Sequence, residues 1–232
     1  MRLTTLVPLL CLLLASHGAS GDVPTDDRDW SLREDSRGIR VYTRSLEHSP
    51  FDAFRAVTEL DAPMDQLMAV MGQPESCLRW VHTCIEARAV GDGDFHDRYA
   101  YSVNQMPWPV HNRDYVVRIR TSGDADGITI TMDAQQDIHP RQDGLVRITH
   151  SHSVYHITPL GDEGTRLEWF QHTEPGGAVP GWLVNRMTTD LPYRSLRNLQ
   201  EEVRDPRYAD YRIEYDDGGR IAGLIREKAG PD

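Results

Sequence analysis

The chain is nearly without lysine: Lys228 is the only one, and the other 24 basic residues are arginines against 36 acids. The resulting formal charge of −11 at pH 7 opposes binding to nucleic acid and to anionic lipid surfaces. Past residue 21 no apolar run approaches the ~20 residues that span a bilayer. The motifs that announce common chemistries are missing as well. There is no Gly-x-Ser-x-Gly elbow, no phosphate-cradling glycine loop and no His-Glu-x-x-His helix. No catalytic residue, cofactor or metal is therefore assigned. Cysteine is scarce, with Cys77 and Cys84 the only two outside the N-terminal run that holds Cys11.

That N-terminal run places Arg2 before apolar residues from Leu6 to Ala15, then small residues up to Gly21. The pattern predicts a secretory signal peptide over 1–21 and an exported, periplasmic mature chain. Export into an oxidising compartment favours pairing Cys77 with Cys84. In one continuous helix their spacing would separate them by ~10.5 Å, beyond the ~7 Å reach of a disulfide, so the segment between them must bend.

What remains is enough chain for one core, expected over 22–204, followed by a C-terminal extension over 205–232. A short helix is expected around Thr25 to Asp35, then a hairpin of Ile39 to Arg44 and Phe51 to Leu60. Pro63 starts a helix in which Met64, Leu67, Met68 and Met71 recur before Gly72 ends it. From Ile85 the chain reads as strands: 85–90, 95–104, 115–120, 128–133, 146–157 and 165–173, joined by Gly- and Asp-rich turns into one antiparallel meander. Either face of 95–104 suits the interior. In the extension, Tyr211, Ile213 and Tyr215 precede an Asp-Gly turn, which predicts a hairpin pairing with the sheet edge.

A helix is expected from Gly181 to Arg204. Leu183, Val184, Met187 and Leu191 fall in one sector, and Tyr193, Leu196, Leu199 and Val203 in another. Pro192 sits between them, which predicts a bend there.

One stretch orients the rest. In Pro107-Trp108-Pro109-Val110-His111-Asn112-Arg113-Asp114-Tyr115-Val116 the prolines force a rigid turn, which Trp108 is expected to help shape, and a strand follows. Tyr115, Val117 and Ile119 then share one face. Arg113 and Asp114 point to opposite faces, so they are expected to anchor the fold through separate partners on neighbouring strands. His150, His152 and His156 share a strand face, but neighbours ~7 Å apart do not converge on the ~2 Å shell of a zinc ion.

The stretch 107–116 resembles the turn-and-strand signature of START domains, the lipid-transfer modules related to the steroidogenic acute regulatory protein. Gly38 to Tyr42, Trp80, Leu145 to Arg147, Glu168-Trp169 and Pro180 to Asn185 extend the likeness over roughly Asp29 to Arg204. The resemblance implies an α+β helix-grip fold, a curved antiparallel sheet wrapped around a long C-terminal helix. It also implies a tunnel for one lipid or similar hydrophobic small molecule, with the final helix and the loop Ala134 to Gly144 as a lid.

On that reading Tyr115, Val117, Ile119, Ile130, Met132, Trp169, Leu183, Met187 and Leu191 line the ligand site, while Trp80, Trp108, Arg113, Asp114 and Pro192 are structural. Ile119 occupies a position where family members often carry an arginine or an acid. The chain is expected to act as a monomer that touches a membrane transiently. Two alternatives stand beside binding: a cyclase- or aromatase-like enzyme using the histidine strand as acid or base, and a scaffold with a collapsed cavity.

The disulfide is directly testable. Thiol labelling of the denatured, unreduced protein is expected to modify neither Cys77 nor Cys84, and labelling of both contradicts the pairing.

Overall fold

The computed structural model describes residues 23–227; the expected signal peptide lies outside them. Strands β1 (Ser31–Ser36), β2 (Ile39–Leu46) and β3 (Ser49–Leu60) lead into helix α1 (Met64–Met71) and the single turn α2 (Cys77–Trp80). Strands β4 (Cys84–Val90), β5 (Asp97–Asn104), β6 (Arg113–Asp124), β7 (Gly127–Ala134), β8 (Val146–Arg147), β9 (His150–Leu160) and β10 (Gly164–Glu174) follow. Helix α3 (Gly181–Glu202) and the hairpin β11 (Tyr211–Tyr215) and β12 (Ile221–Arg226) complete the described chain.

The large sheet has the order β1-β2-β3-β10-β9-β7-β6-β5-β4. The last strand returns to the first hairpin, with Trp169 opposite Ala56, so the sheet is more than a meander. The expected α+β architecture is present, an antiparallel sheet with a long C-terminal helix packed on β2 and β3.

Three expectations need correction. The N-terminal helix over 25–35 does not form. Arg37 and Gly38 both take positive φ, the geometry of a two-residue hairpin turn whose twist suits antiparallel strands, and β1 pairs with β2 instead. The expected strand 146–157 is two pieces: β8 runs parallel to β6, and β9 begins only at His150. The C-terminal hairpin does not extend the main sheet. It forms its own two-stranded sheet against α1, with the bridge between Asp124 and Arg220 as a contact to the main one. Ile213 and Ile221 are buried there, and Asp65 Oδ1 accepts from the Ile213 amide at 2.9 Å.

Alternation divides the sheet into two faces. Inward lie Val117 and Ile119 on β6, Ala100 on β5, Ile130 on β7, Tyr155 on β9 and Trp169 on β10, all in one apolar cluster with α1 and the C-terminal half of α3. Outward, Tyr101, Val103 and Val116 form a separate cluster beneath Leu145. The inner face of β5 is therefore the one with Arg98, Ala100 and Ser102, while the more apolar face is covered by a loop.

That loop, residues 135–145, is held by a buried ion pair. Asp114 Oδ2 accepts from Arg147 Nε at 3.0 Å and Nη2 at 2.8 Å, and both side chains are 1% exposed. Arg147 also donates to the carbonyls of Gln136, His139 and Pro140. On the opposite face Arg113 donates to the carbonyls of His111, Pro175 and Gly176. Adjacent residues thus fasten separate segments: Asp114 the outer loop, Arg113 the approach to α3. Only Asp114 meets its partner on a neighbouring strand; Arg113 takes carbonyls of loops.

Removing one member of a buried pair strands the other charge. Asp114→Ala is expected to cost ~3–5 kcal/mol in urea unfolding. Replacing Asp114 and Arg147 together by leucine should recover most of that loss, and an additive double mutant contradicts the pairing.

Candidate functional site

Two small spaces, each partly open to the surface, lie between the inner face of the sheet and the helices. One, of about 110 Å³, is walled by Trp80, Val117, Ile119, Met132 and Tyr155. The other, of about 80 Å³, sits under the first half of α3 and is walled by Phe54, Tyr115, Val184, Met187 and Leu191. Trp169 stands between them. Its ring stacks on Tyr155 at 5.3 Å and meets Phe54 and Trp80 edge-on at 4.9 and 5.8 Å. These aromatics are a partition, and the Trp169 indole N–H is buried there without an acceptor.

A third space, an open groove of about 550 Å³, runs along the outside of α3. Met106, Met187 and Leu191 line both this groove and the 80 Å³ space, so these three side chains are the wall between inside and outside. Methionine is unbranched and adaptable, which suits a wall that must yield.

The two halves of α3 are held unequally. Beyond Pro192, Ser195, Leu196 and Leu199 are fully buried. Tyr193 bonds Ser36 at 2.8 Å, Ser195 Oγ accepts from the His82 amide at 3.0 Å, and Gln200 donates to Thr58 Oγ1 at 3.0 Å. Before Pro192 only Val184 is buried. Pro192 has no N–H for the Thr188 carbonyl, so the helix is uncoupled where its anchoring changes.

Of the residues expected at the ligand site, the structure places Val117, Ile119 and Met132 at one internal space and Tyr115, Met187 and Leu191 at the other. Ile130 and Trp169 are packed between elements and border neither. Leu183 faces the outer groove; its neighbour Val184, one helical step on, turns inward. Trp80 is buried, but Trp108 is 92% exposed, and the turn around it is closed by the Val110 amide donating to the Pro107 carbonyl at 3.0 Å and the Met106 amide donating to Asn112 Oδ1 at 3.0 Å. Cys77 and Cys84 are bonded, with Cα atoms 5.9 Å apart, across the bend that ends α2. Sequence reading missed Met106, which lies in a loop without periodicity. It also missed the inward Arg98, whose signal was the pair of small inner residues Ala100 and Ser102.

Burial dominates the electrostatics of the inner face. It raises the Tyr115 hydroxyl to about 12 and the Tyr155 hydroxyl further, so both stay protonated. Burial also lowers the Arg98 guanidinium.

The histidines are elsewhere. His150, His152, His156 and His172 line an open groove of about 1060 Å³ on the outer face, with Asp133 accepting from His152 at 2.6 Å. Burial lowers His172. Among the described residues no group of three His, Cys, Asp or Glu is placed to hold a metal ion. The histidine strand therefore offers no acid or base to the inner spaces.

Comparison with known proteins fits this geometry. A solved STAR-related lipid transfer protein from Xanthomonas axonopodis is 31% identical, with a TM-score of 0.71, covering 76% of this chain and 99% of that one. An uncharacterized Pseudomonas aeruginosa protein is 31% identical over 190 residues, 82% of this chain and 93% of its own. Rat phosphatidylcholine transfer protein is 27% identical over 164 residues, 68% of this chain and 75% of its own. The START domain family model matches residues 21–192, about three quarters of the chain. With that match, with the aromatic partition between two inner spaces, and with a final helix anchored by one half, the chain belongs to the START domain family.

Proposed function

We propose that this protein binds a lipid or similar hydrophobic molecule between the inner sheet face and α3, and does not act as an enzyme. The observation that carries the reading is the wall of Met106, Met187 and Leu191, shared by an apolar inner space and an outer groove beneath the loosely held half of α3. Similarity to the STAR-related lipid transfer protein from Xanthomonas axonopodis and to rat phosphatidylcholine transfer protein supports the same ligand class.

The inner spaces of about 110 and 80 Å³ are small beside the ~300–1,000 Å³ of ordinary ligand pockets. Uptake therefore demands that residues 181–191 swing out about Pro192 and that Trp169 yields, joining the two spaces. Motions of this kind gate many ligand sites. The cyclase alternative loses its acid and base, because the histidines face outward.

We further propose that the protein is exported, acts as a monomer and touches a membrane while exchanging ligand. The disulfide favours an oxidising compartment. Trp182 is 69% exposed and lines the α3 groove with Pro107, and Trp108, next in the chain, is fully offered to its surroundings. Tryptophan favours the boundary between apolar and wet phases. Among the described residues no helix is long and apolar enough to cross a membrane.

Two outcomes are expected. Met187→Arg places a charge in the gate wall and should abolish uptake of the neutral dye Nile red while leaving far-ultraviolet circular dichroism unchanged; undiminished uptake refutes the gate. Joint replacement of Trp108 and Trp182 by alanine should weaken partition into phosphatidylcholine vesicles about tenfold, a loss of ~1.4 kcal/mol. Equal partition removes these residues from the membrane surface.

A further inference from the structure

The bond between Cys77 and Cys84 closes a loop on which the anchored half of α3 rests. Three residues of α3 bond to this loop. Ser195 Oγ accepts from the His82 amide at 3.0 Å, Asn198 donates to the Trp80 carbonyl at 3.3 Å, and Glu202 accepts from Arg79 Nε at 2.5 Å. Their spacing of three and then four residues puts them on one stripe of the helix. Arg79 also donates to the Tyr208 hydroxyl at 2.6 Å, which ties in the segment that follows α3. All of these contacts are made by residues 79–82, inside the loop.

The other side of the loop meets the ligand path. Cys77, Trp80 and Val81 wall the 110 Å³ space, and His82 and Thr83 line the outer groove along α3. Trp80 meets Trp169, the partition ring, edge-on at 5.8 Å. The loop has little of its own to keep this shape. Helix α2 is four residues long, far below the ~12–15 at which a helix stands alone in water. Two backbone bonds follow it, from the Val81 amide to the Cys77 carbonyl and from the Cys84 amide to the Val81 carbonyl, both at 3.0 Å. The ends belong to different bodies. Ser76 Oγ donates to the Val70 carbonyl of α1 at 2.6 Å, whereas Cys84 opens β4, the last strand of the sheet. The disulfide is the covalent tie between them. Cys77 is half-buried beside a space partly open to the surface, and Cys84 is 8% exposed, so a thiolate reaches the Cys77 sulfur first.

We propose that the Cys77–Cys84 disulfide is a redox latch on ligand exchange, opened by a dithiol reductant. A reductant thiolate attacks the Cys77 sulfur, the S–S bond breaks, and Cys84 leaves as a thiolate that takes up a proton. The second thiol of the reductant then attacks the mixed disulfide and releases Cys77 as a thiol. Two electrons pass to the cysteine pair, and the reductant becomes the disulfide. With the bond cut, residues 79–82 slacken between fixed ends. The stripe of Ser195, Asn198 and Glu202 loses its platform, and Trp80 no longer backs Trp169, so the two spaces join more readily. The proposal rests on the lipid-binding reading and adds what regulates that site. In an oxidising compartment the latched, slowly exchanging form is the resting state.

The test follows Nile red uptake in time by the whole mature protein, with its disulfide intact and after dithiothreitol, the redox state being verified by thiol labelling. Reduction is expected to speed uptake about tenfold, ~1.4 kcal/mol off the opening barrier, with far-ultraviolet circular dichroism unchanged. Removing the dithiol and adding oxidised glutathione should restore the slow rate. Cys77→Ser joined to Cys84→Ser should take up dye at the reduced rate and no longer respond to dithiothreitol. If that variant does not fold, the reversible comparison on wild type carries the test. Ser195→Ala joined to Asn198→Ala cuts two anchors while the sulfurs stay bonded, and should speed uptake by the oxidised protein. Equal rates in the two redox states overturn the latch, as does a reduction that collapses the circular dichroism, since the bond is then a staple of the fold alone. A protein that takes up no dye in either state overturns the lipid reading itself.

Discussion

The buried pair of Asp114 and Arg147 is the constraint on which the other parts depend. Two charges 1% exposed are held by each other through Asp114 Oδ2 and by the further hydrogen bonds of Arg147, while Asp114 Oδ1 stays without a partner. Arg147 makes those bonds by gathering three carbonyls of the loop 135–145, which brings Leu145 down over Tyr101, Val103 and Val116. Strand alternation then sends Arg113 to the other face, where it holds the carbonyls that precede α3. One dipeptide thereby fixes the outer cover and the root of the helix.

From that fixed root the first half of the helix is held lightly, by buried Val184 and by Asn185 Oδ1 accepting from the Asp52 amide at 3.4 Å. After Pro192, Ser195, Leu196 and Leu199 are buried and the segment is hydrogen-bonded to the first strands and to α2; before it, Val184 is buried and Met187 and Leu191 line the 80 Å³ space. Close packing over the inner sheet leaves spaces too small for a lipid, so binding and motion are one problem here. On the proposed reading, the energy of separating Met187 and Leu191 from the sheet would be returned when an apolar chain takes their place, since apolar area is buried either way.

Much of this was legible in the sequence where local rules and packing agree. The prolines of 107–109 marked a turn, and alternation from Tyr115 put Val117 and Ile119 inward. Family resemblance correctly set the fold class. Legibility failed where hydrophobicity ceases to report depth. Tyr101 and Val103 are apolar yet face a loop, whereas Arg98 is charged yet lies on the inner face, so hydrophobicity alone does not separate the faces of 97–104. Leu183 and Val184 share one helical sector, so the helical pattern alone does not tell that Val184 turns in and Leu183 faces the groove. The first strand was missed because its cause is the positive φ of Arg37 and Gly38, a turn requirement that two apolar residues, Trp30 and Leu32, do not announce.

The central claim is that the space between the sheet and α3 exists to hold an amphiphile. The most direct measurement is mass spectrometry of organic extracts from protein purified gently without detergent, beside an unrelated protein carried through the same steps. The account predicts a lipid enriched to roughly one molecule per chain. An extract indistinguishable from the control, joined to failure of the purified protein to take up any lipid offered in vesicles, would contradict it.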